Sequence, residues 1–195
     1  LELMVAEVNE KMYLRWSAGI KLIKLGGALR WNDTEGIPST TVSSHTRGIQ
    51  AMIERSKTTG PGRKLLKIPV FVSRELKFSG VAWLAIWENI NASDVFSFDR
   101  DFLVPLPSPD LESTLRLRAE HADASALTAL VMSKLFVPSC NFVHGSFVPS
   151  EVLLVDSQLT NYWTEHSERR FINSKAAELG IAEATRNFLG IWLPR

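Results

Sequence analysis

The sequence predicts an α+β fold that is mainly helical and contains one small three-stranded antiparallel sheet. Three observations indicate this fold. Apolar residues recur at roughly helical spacing through residues 4–30. Residues 39–72 begin with Ser39–Ser44, which is rich in Thr, Ser and Val, and contain the turn sequence Thr-Thr-Gly-Pro-Gly. Further segments with helical spacing follow from residue 79 to the end of the chain.

The first element is predicted to be one helix over residues 4–30. Its apolar positions are separated by Lys and Glu, as in an amphipathic helix. Gly26 and Gly27 interrupt this pattern near its end, where they allow close packing or a kink. Gly36 and Pro38 then break the chain before the sheet begins.

The second region is predicted to be a three-stranded antiparallel meander. Its strands are predicted at Ser39–Ser44, Gly48–Arg55 and Leu65–Val72. The turn sequence lies between the last two strands, so they form a hairpin whose tip runs from Lys57 to Lys64.

The rest of the chain is predicted to be mostly helical, with a loop over residues 91–111 and a connector over Pro138–Pro149. Trp83 and Trp87 are four residues apart and are interpreted as a core stripe. Gly180 is predicted to end a helix in the position after its C-cap. The predicted helices cover residues 79–90, 110–135, 149–162, 165–179 and 182–190.

The composition indicates a soluble globular protein. The chain has 195 residues, of which 45% are hydrophobic and 22% charged, and it shows neither a membrane-spanning run nor a signal peptide. The single cysteine, Cys140, excludes an internal disulfide and suits a reducing compartment. We therefore expect an intracellular location, and a nuclear one if the source is eukaryotic. A start at Leu1 suggests a fragment.

The charges are unevenly distributed along the chain. Residues 1–80 carry 13 Lys and Arg against 7 Asp and Glu, whereas residues 81–195 carry 9 against 14. The basic half could present a positive face to a polyanion. On charge alone, an ordinary solvated surface with chance asymmetry explains the distribution equally well.

Four separated elements carry candidate chemistry. They are the sequences Arg30-x-x-Asp33, Ser56-Lys57-Thr58-Thr59-Gly60, His166-x-x-Arg169 and Leu189-Gly190-Ile191-Trp192. On a helix, His166 and Arg169 would be neighbours on one face. A guanidinium can grip a phosphate with two hydrogen bonds, and an imidazole can exchange a proton near neutral pH.

This order of motifs resembles the catalytic domain of the tyrosine recombinase (phage-integrase-like) family. The resemblance covers about residues 18–193, and some of the motifs are similar to divergent integrase-like proteins of eukaryotic mobile elements. It implies a recombinase-like fold in which residues 17–195 form the catalytic domain. Residues 1–16 would be a helical remnant or linker.

The resemblance implies a metal-free phosphoryl transfer on DNA. Arg30 and Arg169 would neutralise the charge on the non-bridging oxygens of the scissile phosphate. Lys57 would act as general acid toward the leaving deoxyribose oxygen. Asp33 would orient Arg30 or stabilise the local fold. No metal or cofactor is expected.

The remaining roles fall near the C-terminal end. His166 would hold the phosphate or move the proton of the nucleophile, and Trp192 would brace the site and offer its indole N–H. The family's nucleophile is a Tyr that follows this element, and no Tyr follows Trp192 here. The sequence as given is therefore expected to bind DNA without cleaving it. Tyr162 is expected to pack in the core.

The expected partner is double-stranded DNA, with self-association on it, and not a membrane. Two alternatives come from other classes. One is a non-catalytic α+β module that binds protein, or a degenerate relic of a recombinase. The other is a metal-dependent or hydrolytic enzyme that uses Cys140 and His144, a pair without further ligands nearby and interpreted as incidental.

Overall fold

The computed structural model of the chain describes residues 1–54, 67–143, 146–156, 158–162, 164 and 167–189. Within them, the side chains of residues 138–143, 146–149, 161, 167–169 and 187–189 are not described. The helices are α1 (Glu2–Ala6), α2 (Met12–Gly26), α3 (Trp31–Glu35), α4 (Trp83–Asn91), α5 (His121–Ser133), α6 (Ser167–Glu178) and α7 (Glu183–Leu189). The strands are β1 (Ser43–His45), β2 (Gly48–Ile53), β3 (Ile68–Ser73), β4 (Pro105–Pro107), β5 (Thr114–Arg118), β6 (Phe136–Val143) and β7 (Ser146–Leu153).

The chain divides into two compact units. Unit 1 comprises Leu1–Leu22, Arg74–Asp99 and Val104–Thr164. Unit 2 comprises Ile23–Ser73, Arg100–Leu103 and Glu165–Arg195. The predicted α+β class is confirmed, because helices alternate with small antiparallel sheets in the described residues.

Unit 1 has an aromatic core. The rings of Trp16 and Phe96 stack with their centroids 4.7 Å apart, and Trp87 packs on the other side of Trp16 at 6.3 Å. The indole of Trp16 donates a hydrogen bond to the side chain of Asn91 at 3.0 Å, so burial leaves its N–H satisfied. Trp83 and Trp87 are both 1% exposed, which confirms the predicted core stripe.

Unit 2 contains the predicted antiparallel meander, with strand order β1-β2-β3. The first strand, predicted at Ser39–Ser44, begins only at Ser43, because Ser39–Thr41 is a 3-10 helix. Ile49 pairs with Val72, and Ala51 pairs with Val70. These four side chains lie on one face of the sheet and are buried, because alternate residues of a strand point to the same side. The predicted hairpin tip, Lys57 to Lys64, lies outside the described residues.

The long helix predicted over residues 4–30 is wrong, because the structure has two helices there. Between α1 and α2, the Glu7 carboxylate accepts hydrogen bonds from the backbone and side-chain nitrogens of Asn9 at 3.1 and 3.0 Å. Glu112 then accepts one from the backbone N–H of Met12 at 3.2 Å. These local side-chain bonds replace the backbone bonds that a continuous helix would need.

The helix predicted over residues 110–135 is wrong in its first half. Thr114–Arg118 is a strand that pairs with β4, and only His121–Ser133 is helical. The sequence Leu115-Arg116-Leu117-Arg118 alternates between apolar and charged residues, which is the period of a strand. In the segment predicted as a loop over 91–111, Asn91 is the last residue of α4 and Pro105–Pro107 form the strand β4.

The connector predicted over Pro138–Pro149 and the helix predicted over residues 149–162 are also wrong. β6 and β7 form an antiparallel hairpin, in which Phe136 lies opposite Leu153 and Pro138 lies opposite Pro149. The prolines suggested a loop, but the register of the ladder shifts beside them, which accommodates their missing N–H groups. Tyr162 is 79% exposed, so the prediction that it packs in the core is also wrong.

None of the helices in the described part of the chain combines the length and apolar character needed to cross a membrane.

Candidate functional site

Arg30 lies at the N-terminal end of α3, where both its backbone carbonyl and its backbone N–H are hydrogen-bonded. Its carbonyl oxygen accepts hydrogen bonds from the backbone N–H groups of Asp33 and Thr34 at 3.1 and 3.0 Å. Its own N–H donates to the Asp33 carboxylate at 2.9 Å. Asp33 and Thr34 are 6% and 0% exposed, so this anchor is shielded from water. The Cα position of Arg30 is therefore fixed by the helix that follows it.

The turn that leads into Arg30 is unusual because its left-handed residue is an alanine. Ala28 has a φ of +51°, a conformation that usually requires Gly. The N–H of Leu29 donates to the carbonyl of Lys24 at 2.8 Å, and that of Ala28 donates to Leu25 at 3.3 Å, as in a Schellman motif. Leu29 is fully buried, which anchors the turn directly before Arg30.

The predicted close packing at Gly26 and Gly27 is seen at Gly27. A Cβ at Gly27 would lie 2.9 Å from Cγ1 of Val70 on β3, so any side chain there would collide with the sheet. The end of α2 therefore rests against the sheet within unit 2.

The guanidinium of Arg30 makes no ion pair with a carboxylate of the described residues, and Arg30 is half-buried. An arginine whose backbone is fixed can present a planar fork to a phosphate. This geometry fits the role that the resemblance implies for Arg30, which stays a prediction.

The end of β2 lies next to the end of α3. The backbone N–H of Glu54 donates to the carbonyl of Gly36, just beyond the end of α3, at 2.8 Å. The Glu54 carboxylate is paired with Lys67 at 2.8 Å. At a rise of about 1.5 Å per helical residue, Gly36 lies roughly 9 Å along the chain from Arg30. Lys57 itself lies outside the described residues.

Arg169 is the third residue of α6, and its side chain is not described. The end of α6 agrees with the sequence prediction. Gly180 has a φ of +72°, its N–H donates to Ala177 at 3.0 Å, and the N–H of Ile181 donates to Ala176 at 2.9 Å. This is the Schellman motif that a C′ glycine predicts. The backbone of α6 around Arg169 thus forms a regular helix with a defined end.

Asn173 lies one helical turn after Arg169 and is 8% exposed. Both polar atoms of its side chain, Oδ1 and Nδ2, are buried without a hydrogen-bond partner in the described part of the chain. Such a group costs free energy unless something binds it. The sequence prediction did not include Asn173. The sequence feature that could have indicated it is its position four residues after Arg169, on the helix face that also bears the buried Ala176.

The structure assigns Arg30 and the backbone of Arg169 to the same unit. His166 and Trp192 lie outside the described residues, as Lys57 does. The same holds for His144 and for the side chain of Cys140. Among the residues that are described, no group of three His, Cys, Asp or Glu could hold a metal ion.

The chain is similar to known proteins at the level of solved structures. No protein-family model matches the chain, and no curated protein matches it. Among solved structures, it is similar to FLP recombinase, a tyrosine recombinase, in a structure titled as a complex with a Holliday junction. The TM-score is 0.56 and the identity 11%; the match covers 100% of this chain and 42% of the FLP chain.

The fold is recombinase-like. At 11% identity the likeness concerns the fold alone. This fold agrees with the expectation from the order of Arg30, Lys57 and His166-x-x-Arg169, although the roles of these residues are not tested by it. The chain spans about two fifths of the FLP recombinase chain, at 42%.

Proposed function

We propose that this domain binds double-stranded DNA through the phosphate backbone and belongs to a protein that breaks and rejoins DNA strands. The observation that carries the proposal is the Arg30 side chain. It is half-buried, its backbone is anchored at 2.9 Å by Asp33, and its guanidinium makes no contact with a described carboxylate. An arginine held in this way is suited to a phosphate oxygen.

The recombinase-like fold supports the proposal independently of Arg30. In a phosphoryl transfer without a metal, guanidinium groups stabilise the negative charge that develops on the phosphate oxygens. Arg30 and Arg169 are the proposed pair, with Lys57, His166 and Trp192 as the proposed remaining members. A protein of this kind would also self-associate on DNA, and a mobile element is its proposed source.

Neither tyrosine of this chain is proposed as the nucleophile. Tyr13 is fully buried, and its hydroxyl donates to the carbonyl of Pro105. Tyr162 is exposed but precedes the His166-x-x-Arg169 motif, whereas the family's nucleophile follows it. DNA binding and contact with the phosphate are therefore the activities proposed for this domain. Strand cleavage is proposed only for the whole protein.

Binding to a labelled 30-base-pair duplex, measured by fluorescence anisotropy across a salt series, tests the proposal. Arg30→Ala is expected to weaken binding by about tenfold or more, because a charge-assisted hydrogen bond contributes about 1.5–3 kcal/mol. The slope of log K against log salt should fall by about 0.9, the value for one lost phosphate contact.

Lys175→Ala is the matched control. Lys175 lies in the same unit as Arg30, and its substitution also removes one positive charge. Its ammonium is paired with Glu178 at 2.7 Å on the exposed face of α6. Binding that is equally weakened by the two substitutions would show a general charge effect and no specific role of Arg30. A parent protein that binds no duplex at low salt would refute the proposal.

A second candidate function, a protein-binding module, is favoured by one observation. Large apolar side chains are exposed in a short stretch of unit 1: Phe136 by 44%, Val152 by 64%, Leu153 by 42%, Leu154 by 52% and Leu159 by 56%. Of these, Phe136 and Leu153 lie opposite each other in the β6–β7 hairpin, and exposed apolar patches mark interaction surfaces. Sedimentation of the protein with and without duplex distinguishes the two. Association that is independent of DNA and abolished by Leu153→Asp would favour this candidate.

A further inference from the structure

The outer face of the β1-β2-β3 sheet differs in character from the buried face. Across the three strands, Ser43 lies opposite Gln50 and Gln50 lies opposite Phe71. The next row joins His45, Gly48 and Ser73 in the same way. Of these residues, Ser43, His45, Gln50 and Phe71 are exposed. This side of the sheet is therefore an open polar surface with one aromatic ring, Phe71, on the edge strand β3.

Phe71 is held in place against a glycine. An ideal Cβ at Gly48 would lie only 2.8 Å from Cζ of Phe71, so the ring lies across the backbone of Gly48. The side chain of Phe71 is nevertheless 48% exposed. A half-exposed ring of this kind offers an apolar surface to a sugar or a base, since no side chain at position 48 stands over it.

Hydrogen-bond donors lie on the same side of the sheet as this ring and in the adjoining turn. Ser43 Oγ and His45 Nε2 are 3.1 Å apart at the edge strand, and the amide of Gln50 lies in the row between β1 and β3. Thr46 and Arg47 are exposed in the turn that joins β1 to β2. Hydroxyl, amide, imidazole and guanidinium groups are the donors that proteins use toward phosphate and sugar oxygens.

The charges of the described residues favour an anionic occupant. The strands β1, β2 and β3 and the turn between β1 and β2 contain Arg47, which is exposed, and no acidic residue; Glu54 follows the end of β2. Glu54 is already paired with Lys67 at 2.8 Å. The region is thus complementary to a polyanion, whereas a neutral apolar partner would find only Phe71 and its immediate neighbours.

We infer that the outer face of this sheet is a contact surface for the sugar–phosphate backbone of duplex DNA. Arg47, His45 and Gln50 donate to phosphate oxygens, and Phe71 packs against a deoxyribose. The inference rests on the DNA binding proposed above and extends it to a surface that does not include Arg30. It also explains why an exposed phenylalanine stands among polar side chains.

The test introduces one negative charge at the centre of the face. Gln50→Glu is nearly isosteric at an exposed position, so it leaves the fold intact. It is expected to weaken binding to the labelled 30-base-pair duplex by about tenfold at low salt, because it repels the phosphate it faces. Gln158→Glu, the same change at an exposed position of unit 1, should leave the affinity within about twofold of the parent, as expected away from a contact surface.

Phe71→Ala probes the ring, with Phe78→Ala as its control, because Phe78 is exposed by 57% in unit 1. Phe71→Ala should weaken binding about fivefold to tenfold without changing the slope against salt, since stacking and sugar contacts are not electrostatic. Melting temperatures check that each variant is folded. If Phe71→Ala does not fold, the result for Gln50→Glu decides the test.

The outcomes separate this inference from the proposed function. If the parent binds duplex and Gln50→Glu binds as well as Gln158→Glu does, the inference is wrong and the role of Arg30 stands. If the parent binds no duplex, both are wrong. If the parent binds polyglutamate as tightly as duplex, and Gln50→Glu weakens both equally, the face recognises acidic chains in general and the assignment to DNA is overturned.

Discussion

The carboxylate of Asp33 accepts a hydrogen bond from the backbone N–H of Arg30 at 2.9 Å, and Asp33 is 6% exposed. The same arrangement occurs at the start of α5, where Asp123 accepts from the backbone N–H of Glu120 at 2.8 Å at an exposed position. Each of the two carboxylates stands three residues after the residue it anchors, and the two sites differ in burial. They therefore make a matched pair for testing what the anchor of Arg30 does.

Asp33→Ala is expected to lower the free energy of unfolding by about 1–2 kcal/mol, because it removes the anchor and leaves a shielded N–H without its acceptor. Asp123→Ala should cost about 0.5 kcal/mol, since water can replace its carboxylate. Urea unfolding measures both. Only Asp33→Ala should also weaken duplex binding. Equal effects of the two changes on binding would show that Asp33 does not position Arg30.

Gly19→Ala is expected to destabilise unit 1, although alanine normally favours a helix interior over glycine. A Cβ at Gly19 would lie 2.0 Å from Cδ1 of Trp87, inside the ring's van der Waals radius. Overpacking of this kind costs about 1–3 kcal/mol, which exceeds the gain of about 1 kcal/mol from helix propensity. Thermal unfolding followed by tryptophan fluorescence checks the result. A raised melting temperature would contradict the packing of Gly19 against the indole.

Asn173→Leu is expected to raise the free energy of unfolding by about 1–3 kcal/mol, because it removes two buried polar atoms that lack partners in the described residues. Asn91→Leu is the control, since the Asn91 side chain accepts a hydrogen bond from Trp16 at 3.0 Å. That change should destabilise the protein. Destabilisation by Asn173→Leu would instead mean that the Asn173 amide has a partner in solution.

The stability of the protein is expected to fall at low pH partly through Glu112. Its hydrogen bond from the Lys11 ammonium at 2.8 Å, together with that from the Met12 backbone N–H, lowers the pKa of the Glu112 carboxyl. The same hydrogen bond raises the pKa of Lys11. A lowered carboxyl pKa contributes stability above the unfolded value and loses it as pH falls through the folded value. The Lys11 contribution is lost as pH rises through its raised pKa.

Glu112→Gln tests this pair by urea unfolding across a pH series. The variant should lose the part of the acid-range slope that Glu112 supplies and should differ from the parent most in the neutral range, where both groups of the pair are charged. Because both side chains are exposed, the effect should shrink in high salt. A difference that stays constant from acid to alkaline pH would contradict an ionic origin.

Local patterns predicted several elements correctly. Alternation in Gly48–Ile53 and Ile68–Ser73, with turn residues between the two segments, indicated the antiparallel hairpin. Gly180 marked the end of α6 because a C′ residue adopts positive φ. Trp83 and Trp87 indicated a buried helix face through their spacing. In each case the sequence pattern that gave the prediction lies within the element itself or the residues next to it.

The incorrect predictions concern segments whose partners lie elsewhere in the chain. Thr114–Arg118 becomes a strand by pairing with Pro105–Pro107, and the Phe136–Leu153 pair forms only when β6 and β7 meet. The break between α1 and α2 depends partly on Glu112, one hundred residues away from Met12. Local periodicity cannot report the contact of Glu112 with Met12, because tertiary contacts override propensity. For Thr114–Arg118 a local signal was present in the alternation of apolar and charged residues.

The sequence by itself determined the fold class, the meander and the order of cationic motifs, since these follow from spacing and turn chemistry. Only the tertiary structure decided which cations are neutralised. Arg74 is bound by Glu88 at 2.6 Å, and Lys134 is bound by Glu10 at 2.9 Å, whereas the Arg30 guanidinium meets no carboxylate among the described residues. Ion pairing depends on distances of a few ångströms between residues far apart in the chain, which spacing along a sequence does not encode.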